Sequence, residues 1–300
     1  MEIKNLATEQ RNPKTLHIDK MSTLEMVRTI NSEDKKVALA VEDQSEEIAK
    51  AIDLGAEKYR QGGRLIYIGA GTSGRLGILD AVELVPTYGI LPERAIGLIA
   101  GGQNAIYRAV EGAEDDLDLA EHDLNDLELT NKDIVIGLAA SGRTPYVIGG
   151  LRYAHKIGAL TVSVACVKDS KIGEYADVAI EAETGPEVIT GSTRMKAGTA
   201  QKMILNMIST AIMIKQGKVY ENVMIDVIPS NEKLVDRAIR IIMTCTNVNR
   251  KDAERYFKDA GKDVGTAIVM AKTHLDFQEA KEILEANQNN ISQVIQKFSN

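Results

Sequence analysis

The sequence has few of the residues that build metal centres, disulfide frameworks or aromatic binding surfaces. It contains no tryptophan and only 3 phenylalanines, and its 4 histidines lie far apart. Its 2 cysteines, Cys166 and Cys245, do not have the spacing of a metal site. We therefore expect a reduced, cytoplasmic protein without a bound metal ion.

An excess of positive charge and long apolar runs are also missing. The formal net charge is -7 at pH 7, and no basic run occurs along the chain. Nucleic acid is therefore not expected as a partner, because its phosphate backbone attracts basic surfaces. No apolar run approaches the length of a transmembrane helix, and the first residues do not follow the pattern of a signal peptide. The sequence predicts no membrane partner.

What the sequence does contain, from residue 64 onward, is an alternation of short apolar runs and helical patterns. The apolar runs predict five strands, at residues 65–68, 95–100, 134–138, 160–165 and 178–181. Helical spacing between them predicts helices at residues 76–84, 105–116, 146–157 and 171–175. Apolar strands separated by helices are typical of a parallel sheet covered on both faces, so the predicted fold class is α/β.

Helical segments are predicted on either side of this sheet in the sequence. Residues 8–13 are predicted to be extended, and Ser22 with Glu25 forms a capping-box pattern that predicts a helix from Thr23. Further helices are predicted up to Tyr59, at residues 197–216 and 232–244, and in short pieces beyond, with Asn249 and Thr273 as caps. We predict three parts: N-terminal segment and helices at 1–59, a sheet domain at 60–220 and a small helical subdomain at 221–300.

A glycine-rich loop follows the first predicted strand and opens a helix. Gly69, Gly71 and Gly74 allow a tight turn and a close approach of the backbone to a ligand, while Thr72 and Ser73 add hydroxyl donors. Because a helix N-terminus presents free N–H groups, this loop predicts a site for a phosphate-sized anion.

The same loop is open to three other interpretations. The glycines also satisfy the dinucleotide fingerprint, but that motif needs an acidic residue at the end of the second strand, and the run 95–100 ends on two glycines instead. A Walker loop needs a lysine after its last glycine, and none is present. A tight turn without a ligand remains open.

Two further hydroxyl-rich loops follow later strands. Ser141, Gly142, Arg143 and Thr144 come directly after the third strand, where they could cap a helix or help to hold an oxyanion. A third cluster precedes the long helix and contains Glu187, Ser192, Thr193 and Lys196. A cation in a first helical turn opposes the helix dipole, which favours a nearby anion. The loops after the first and third strands are of the same kind, and these strands could be neighbours in the sheet. The two loops together therefore favour one shared anion site.

Three hydroxyl-rich loops on a parallel sheet resemble the sugar isomerase (SIS) domain, which binds phosphosugars. More closely, the chain resembles the N-acetylmuramic acid 6-phosphate etherase family along essentially its whole length. The segments that carry this resemblance are residues 8–13, 31–34, 69–77, 111–115 and 190–202. One departure is Leu84-Val85, where the family more often has Cys-Pro, although Glu83 and the sequence Pro86-Thr87-Tyr88 are kept.

The resemblance implies a flavodoxin-like, three-layer SIS fold and a lyase without a metal or organic cofactor. Enzymes of this family eliminate D-lactate from the open-chain form of a 6-phosphorylated amino sugar, and water then adds to give N-acetylglucosamine 6-phosphate. The resemblance places the general acid at Glu83 and the general base at Glu114; among 43 acidic residues the sequence alone would not select these two. The predicted helix 105–116 would put Glu114 on one face with Glu111.

The resemblance also bears on assembly and on an alternative function. SIS domains commonly pair, and the helices predicted at residues 23–59 offer apolar surface beyond what one sheet needs, so a homodimer is expected. The glucokinase regulatory protein resembles this family and binds phosphosugars without converting them. A non-catalytic regulator is therefore the alternative to the enzyme.

Overall fold

The computed structural model describes residues 7–226 and 231–298. These residues form two compact units, which are described separately. The first unit contains the residues up to Val82 together with Pro92–Ser209, and the second contains Glu83–Leu91 together with the residues from Thr210 onward. The three parts predicted from the sequence, with boundaries at residues 59/60 and 220/221, stay a prediction.

A five-stranded parallel sheet forms the centre of the first unit. Its strands are β1 (Leu65–Gly69), β2 (Ala95–Ile99), β3 (Ile134–Ala139), β4 (Leu160–Ala165) and β5 (Val178–Glu181). They lie in the order β2-β1-β3-β4-β5, which is the flavodoxin-like order, and all neighbouring pairs are parallel. Every residue of β1, β3 and β4 is buried, which explains their near-continuous apolar sequences. The predicted α/β class is confirmed.

Helices cover both faces of this sheet. The helices that begin in the first unit are α1 (Thr23–Glu42), α2 (Ser45–Arg60), α3 (Gly71–Tyr88), α4 (Asn104–Tyr107), α5 (Leu119–Asp126), α6 (Pro145–Ile157) and α7 (Lys196–Lys215). On one face, Ile66 and Ile68 of β1 pack in a core with residues of α5 and α6. On the other face, Tyr67 donates a hydrogen bond to Asp80 of α3 at 2.9 Å. This alternation along β1 gives the three layers.

Several predictions for the first unit are wrong in detail. The helix predicted at 105–116 is replaced by the short α4 and a 3₁₀ turn at Ala113–Asp115. Gly112 has φ +77°, a left-handed conformation that ends helical geometry, so Glu111 and Glu114 do not share a helix face. Helix α5 was not predicted, and the helix expected at 171–175 is a 3₁₀ turn at Gly173–Tyr175.

The N-terminal segment was also predicted incorrectly. It is not extended but contains 3₁₀ turns at Ala7–Glu9, Pro13–Thr15 and Ile18–Lys20. Asn12 explains the second of these turns, because its side chain accepts a hydrogen bond from the Lys14 N–H. The Ser22 capping box at the start of α1 is confirmed.

The second unit is helical apart from one small hairpin. Its helices are α8 (Glu232–Thr246), α9 (Arg250–Asp259), α10 (Val264–Thr273), α11 (Phe277–Ala286) and α12 (Ile291–Phe298). The hairpin, which was not predicted, pairs β6 (Val219–Tyr220) with β7 (Val223–Met224). Asn249 caps α9 as predicted, but Thr273 ends α10, and Asp276 caps the next helix. Across the described ranges, no helix has the length and apolarity needed to cross a membrane.

Candidate active site

Two of the hydroxyl-rich loops lie side by side at one edge of the sheet. The first, residues 70–73, follows β1 and opens α3, and the second, residues 139–145, follows β3 and opens α6. Since β1 and β3 are neighbours and parallel, their carboxyl ends meet at this edge. The chain passes from β1 to β2 on one side and returns to β3 on the other. The loops therefore lie where the strand order reverses, the usual ligand position in such sheets.

A cavity of about 460 Å³ lies at this edge. It brings together eight of the predicted site residues, namely Gly71, Thr72, Ser73, Glu114, Ser141, Arg143, Thr144 and Thr193. Two further acidic side chains line it, Glu9 from the N-terminal segment and Asp115. Both belong to segments that carry the family resemblance, residues 8–13 and 111–115, but neither was predicted as a site residue.

The first loop depends on glycine because a strand end and a helix start touch each other there. A Cβ on Gly69 would lie 2.8 Å from the Gly74 nitrogen, and a Cβ on Gly74 would lie 2.7 Å from the Gly69 oxygen. Any other residue at either position would push the helix away from the strand. The glycines thus place the positive end of the α3 dipole at the cavity.

The second loop presents two hydroxyls and a guanidinium. Thr144 is the N-cap of α6, but its side chain makes no capping hydrogen bond; its backbone carbonyl instead accepts from Val147 and Ile148. Within residues 7–226 and 231–298, the hydroxyls of Ser141 and Thr144 have no hydrogen-bond partner and Arg143 forms no ion pair. These groups therefore do not serve the capping role that the sequence left open.

The third loop divides into a part at the cavity and a buried part. Gly191 and Thr193 line the cavity, whereas Ser192 is half-buried outside the lining. Glu187 and Lys196 are 0% and 1% exposed and do not line it. The Glu187 carboxylate accepts hydrogen bonds from the N–H groups of Lys196 and Ala197, both at 3.0 Å, and so caps α7.

Lys196 has an anion beside it, as its place in the first helical turn predicts, but that anion is a carboxylate of the same chain. The Lys196 Nζ donates to Glu33 Oε2 at 3.2 Å and to the Thr184 carbonyl at 2.8 Å. Glu33 also accepts from Asn12 Nδ2 at 2.9 Å, and Asn12 donates to the Pro186 carbonyl at 3.2 Å. The network joins the N-terminal segment, α1 and the third loop.

The Glu33 carboxylate is held in its charged form. Burial raises the pKa of Glu33. Hydrogen bonds from Lys36, Asn12 and Lys196 lower it by more than burial raises it, so that the pKa is about 2. Glu33 and Lys196 are each 1% exposed, so solvent screens this pair little, whereas the Lys36 side chain is 49% exposed.

The two glutamates proposed for catalysis lie in different surroundings. Glu114 is exposed, sits in the 3₁₀ turn after α4 and lines the cavity. Glu83 is exposed in the C-terminal half of α3 and belongs to the second unit. Its apolar neighbours differ, since Leu84 is buried and Val82 is 60% exposed.

The remaining predicted site residue is Gly142 of the second loop. It lies between Ser141 and Arg143, has φ +68° and does not line the cavity.

Among the described residues, no group of three or more His, Cys, Asp or Glu side chains could hold a metal ion.

Comparison with known proteins agrees with this geometry. The family model for the SIS domain matches residues 116–211, and that for the glucokinase regulatory protein N-terminal SIS domain matches residues 47–155. An N-acetylmuramic acid 6-phosphate etherase from Lactobacillus gasseri is 69% identical over 99% of this chain and 100% of the relative. One from Clostridium beijerinckii is 55% identical over 100% of this chain and 99% of the relative. The chain belongs to the N-acetylmuramic acid 6-phosphate etherase family.

The etherase-family fold also has a distant likeness among solved structures. A phosphoheptose isomerase from Francisella tularensis superimposes with a TM-score of 0.50 at 12% identity, covering 65% of this chain and 100% of that chain. At this identity the likeness concerns the fold alone. It agrees with the SIS architecture of this etherase-family chain.

Proposed function

We propose that this protein cleaves the D-lactyl ether of N-acetylmuramic acid 6-phosphate, giving N-acetylglucosamine 6-phosphate and D-lactate. The observation that carries the proposal is 69% identity over 99% of the chain to a protein of that name. Such a reaction belongs to the recycling of cell-wall amino sugars. We also infer a cytoplasmic location, with which the two free cysteines agree.

The proposed reaction is an elimination followed by addition of water. In the open-chain aldehyde, Glu114 removes the C2 proton, and the enolate that forms is stabilised by the carbonyl group. The C3–O bond then breaks, and the departing lactyl oxygen takes a proton from Glu83. Water adds across the resulting double bond, with hydroxyl at C3 and hydrogen at C2. The exposed Glu114 carboxylate at the cavity supports the first of these roles.

The 6-phosphate is proposed to bind between the first and second loops. Gly71, Thr72 and Ser73 would approach it from the start of α3, and Ser141 to Thr144 from the start of α6. Two helix dipoles, free hydroxyls and the Arg143 guanidinium suit a phosphate dianion. Thr193 would reach the sugar from the third loop. For Glu187, Ser192 and Lys196 we propose a positioning role, which the burial of the two charged residues supports.

A lactate-release assay on the purified protein tests the proposed activity. Incubation with N-acetylmuramic acid 6-phosphate should release D-lactate and N-acetylglucosamine 6-phosphate in equal amounts. Binding of both phosphosugars without any lactate release would instead identify a regulator, the function suggested by the glucokinase regulatory protein model over residues 47–155.

Ser73→Ala and Ser141→Ala are each expected to weaken binding of N-acetylglucosamine 6-phosphate. Each removes a hydroxyl that is proposed to donate a hydrogen bond to the charged phosphate, a loss of roughly 1.5–3 kcal/mol in binding free energy. Isothermal titration calorimetry measures the change, with Thr244→Ala, an exposed hydroxyl of α8, as the control. Unchanged affinity in both serine variants would place the phosphate elsewhere.

A homodimer with sites near the subunit boundary is also proposed. Leu24, Val27 and Leu39 are 57%, 58% and 62% exposed. At about 100° per residue they fall within about 120° of one another around α1, on an exposed face that also carries Arg28, Asn31 and Lys35.

Sedimentation velocity is expected to give the mass of a dimer for the wild type. Val27→Asp, which puts a charge beside Leu24 on this face, should shift the protein to monomer and lower activity. Gln278→Asp, on the exposed surface of α11, should change neither. A wild type that is active as a monomer at assay concentration would reject the dimer.

A further inference from the structure

One buried side chain beside the cavity has an unsatisfied hydrogen-bond donor. Gln201, on the second turn of α7, is 1% exposed, and its Oε1 accepts a hydrogen bond from the Ser73 hydroxyl at 2.9 Å. Its Nε2 is buried and has no partner in the part of the chain that the structure describes. Buried amide groups are normally satisfied, so this unpaired donor calls for an explanation.

The direction of the Ser73–Gln201 hydrogen bond conflicts with the proposed role of Ser73. A phosphate oxygen only accepts hydrogen bonds, so Ser73 must donate its proton toward the cavity in order to bind one. In the arrangement described, that proton is donated to Gln201 instead. Ser73 then presents only oxygen lone pairs to the cavity, and these repel an anion.

Rotation of the Gln201 amide removes this conflict. The oxygen and nitrogen of a glutamine amide have nearly the same shape, so a half-turn exchanges donor and acceptor without a change in packing. Nε2 would then donate to Ser73 Oγ, and the serine proton would be free to point at the phosphate. The half-turn exchanges one unpaired amide atom for another, and an anion in the cavity favours it by accepting the serine proton.

We propose that Gln201 is a positioning residue for the phosphate site. It reverses its hydrogen bond with Ser73 when a phosphosugar binds, and so sets the direction of the serine hydroxyl. The inference rests on the proposed function, because it takes the cavity to be the phosphosugar site. Gln201 does not line the cavity, and it acts through Ser73 alone.

Two variants of nearly the same size separate this role from simple packing. Gln201→Glu keeps an acceptor and removes the donor, so it fixes the serine proton away from the cavity. We expect it to weaken binding of N-acetylglucosamine 6-phosphate by roughly 10- to 100-fold, the range for a lost hydrogen bond to a charged group. Gln201→Met offers only a weak sulfur acceptor and does not hold the serine proton, so its affinity should stay within about fivefold of wild type.

A double-mutant cycle separates the fixed hydroxyl from plain charge repulsion. In the Ser73→Ala background no hydroxyl can be held, and Gln201→Glu should weaken binding there by at least about fivefold less than in the wild-type background. Equal losses in the two backgrounds would overturn the proposal. So would a Gln201→Met variant that binds as weakly as Gln201→Glu.

A second measurement uses the unaltered protein, in case Gln201→Glu does not fold. With nitrogen-15-labelled glutamine, the side-chain amide signal that Gln201→Met removes should shift when N-acetylglucosamine 6-phosphate is added. A signal that does not move contradicts the proposed rotation. If the wild type binds neither this sugar nor inorganic phosphate, the proposed function is wrong and the inference falls with it. If the wild type binds but the cycle shows no coupling, only the inference falls.

Discussion

Glu114→Gln is expected to lose both lactate release and the exchange of the C2 proton with solvent, whereas Glu83→Gln should lose lactate release alone. Removal of a proton beside an aldehyde gives a stabilised enolate, so exchange at C2 can precede cleavage of the ether bond. A lost general acid or base lowers the rate by roughly 10²- to 10⁴-fold. Only the general base is needed for exchange, and this separates the two roles.

The measurement is deuterium uptake at C2 in heavy water, followed beside lactate release. Glu111→Gln is a matched control, because Glu111 is exposed, lies three residues before Glu114 and does not line the cavity. It should retain both activities. Exchange that survives in Glu114→Gln but is lost in Glu83→Gln would mean that the roles are swapped.

The cavity offers two other carboxylates that this experiment must exclude. Asp115 and Glu9 line it together with Glu114, so its position there does not by itself select Glu114 as the base. Asp115→Asn and Glu9→Gln should therefore both keep C2 exchange. If one of them loses exchange while Glu114→Gln keeps it, that residue is the base. Exchange and turnover that stay intact in both glutamate variants would mean that neither residue is catalytic.

The sheet was predictable because its strands are buried on both faces. The observed strands agree with the predicted ones to within one residue at either end, and their neighbouring carboxyl ends explain why two hydroxyl-rich loops meet. The helix predicted at 105–116 shows the opposite case. Its apolar spacing was helical, but Gly112 in a left-handed conformation turns the chain and carries Glu114 into the cavity.

The partner of Lys196 in the third loop could not be predicted from the residues around it in the sequence. Lys196 at a helix start predicts an anion, and the anion found there is the carboxylate of Glu33, which lies 163 positions earlier in the chain. No short-range spacing identifies such a partner. Gln201 was missed for the same reason, since its contact with Ser73 spans 128 positions.

The buried pair of Glu33 and Lys196 gives the largest expected effect on stability. Both side chains are 1% exposed, and their nearest atoms lie 3.2 Å apart. Glu33→Gln keeps the shape of the side chain but leaves the Lys196 ammonium buried without that charge. Breaking one half of a buried pair typically costs about 3–5 kcal/mol, so the free energy of unfolding should fall by about this amount.

Denaturant unfolding of three further variants separates the charge from the packing. Lys196→Met added to Glu33→Gln removes the unpaired charge as well, and should recover at least about half of the lost stability. Glu47→Gln on α2 is the control, because its ion pair with Lys50 is exposed at both ends. It should change stability by less than about 1 kcal/mol. Lys196→Met alone should be milder than Glu33→Gln, since Glu33 keeps its contacts with Lys36 and Asn12.

The same pair should make the free energy of unfolding depend on pH between about 2 and 4.5. The pKa of Glu33 is about 2 in the folded protein, against 4.5 for the unperturbed group. Because the folded value is lower, the contribution of Glu33 is fully present above about pH 4.5 and is lost as the pH falls toward about 2. The wild type should therefore lose more stability than Glu33→Gln between these two pH values. Parallel losses in the two proteins would show that the Glu33 carboxylate is not held by this network, and that the third loop and the N-terminal segment are joined by other contacts.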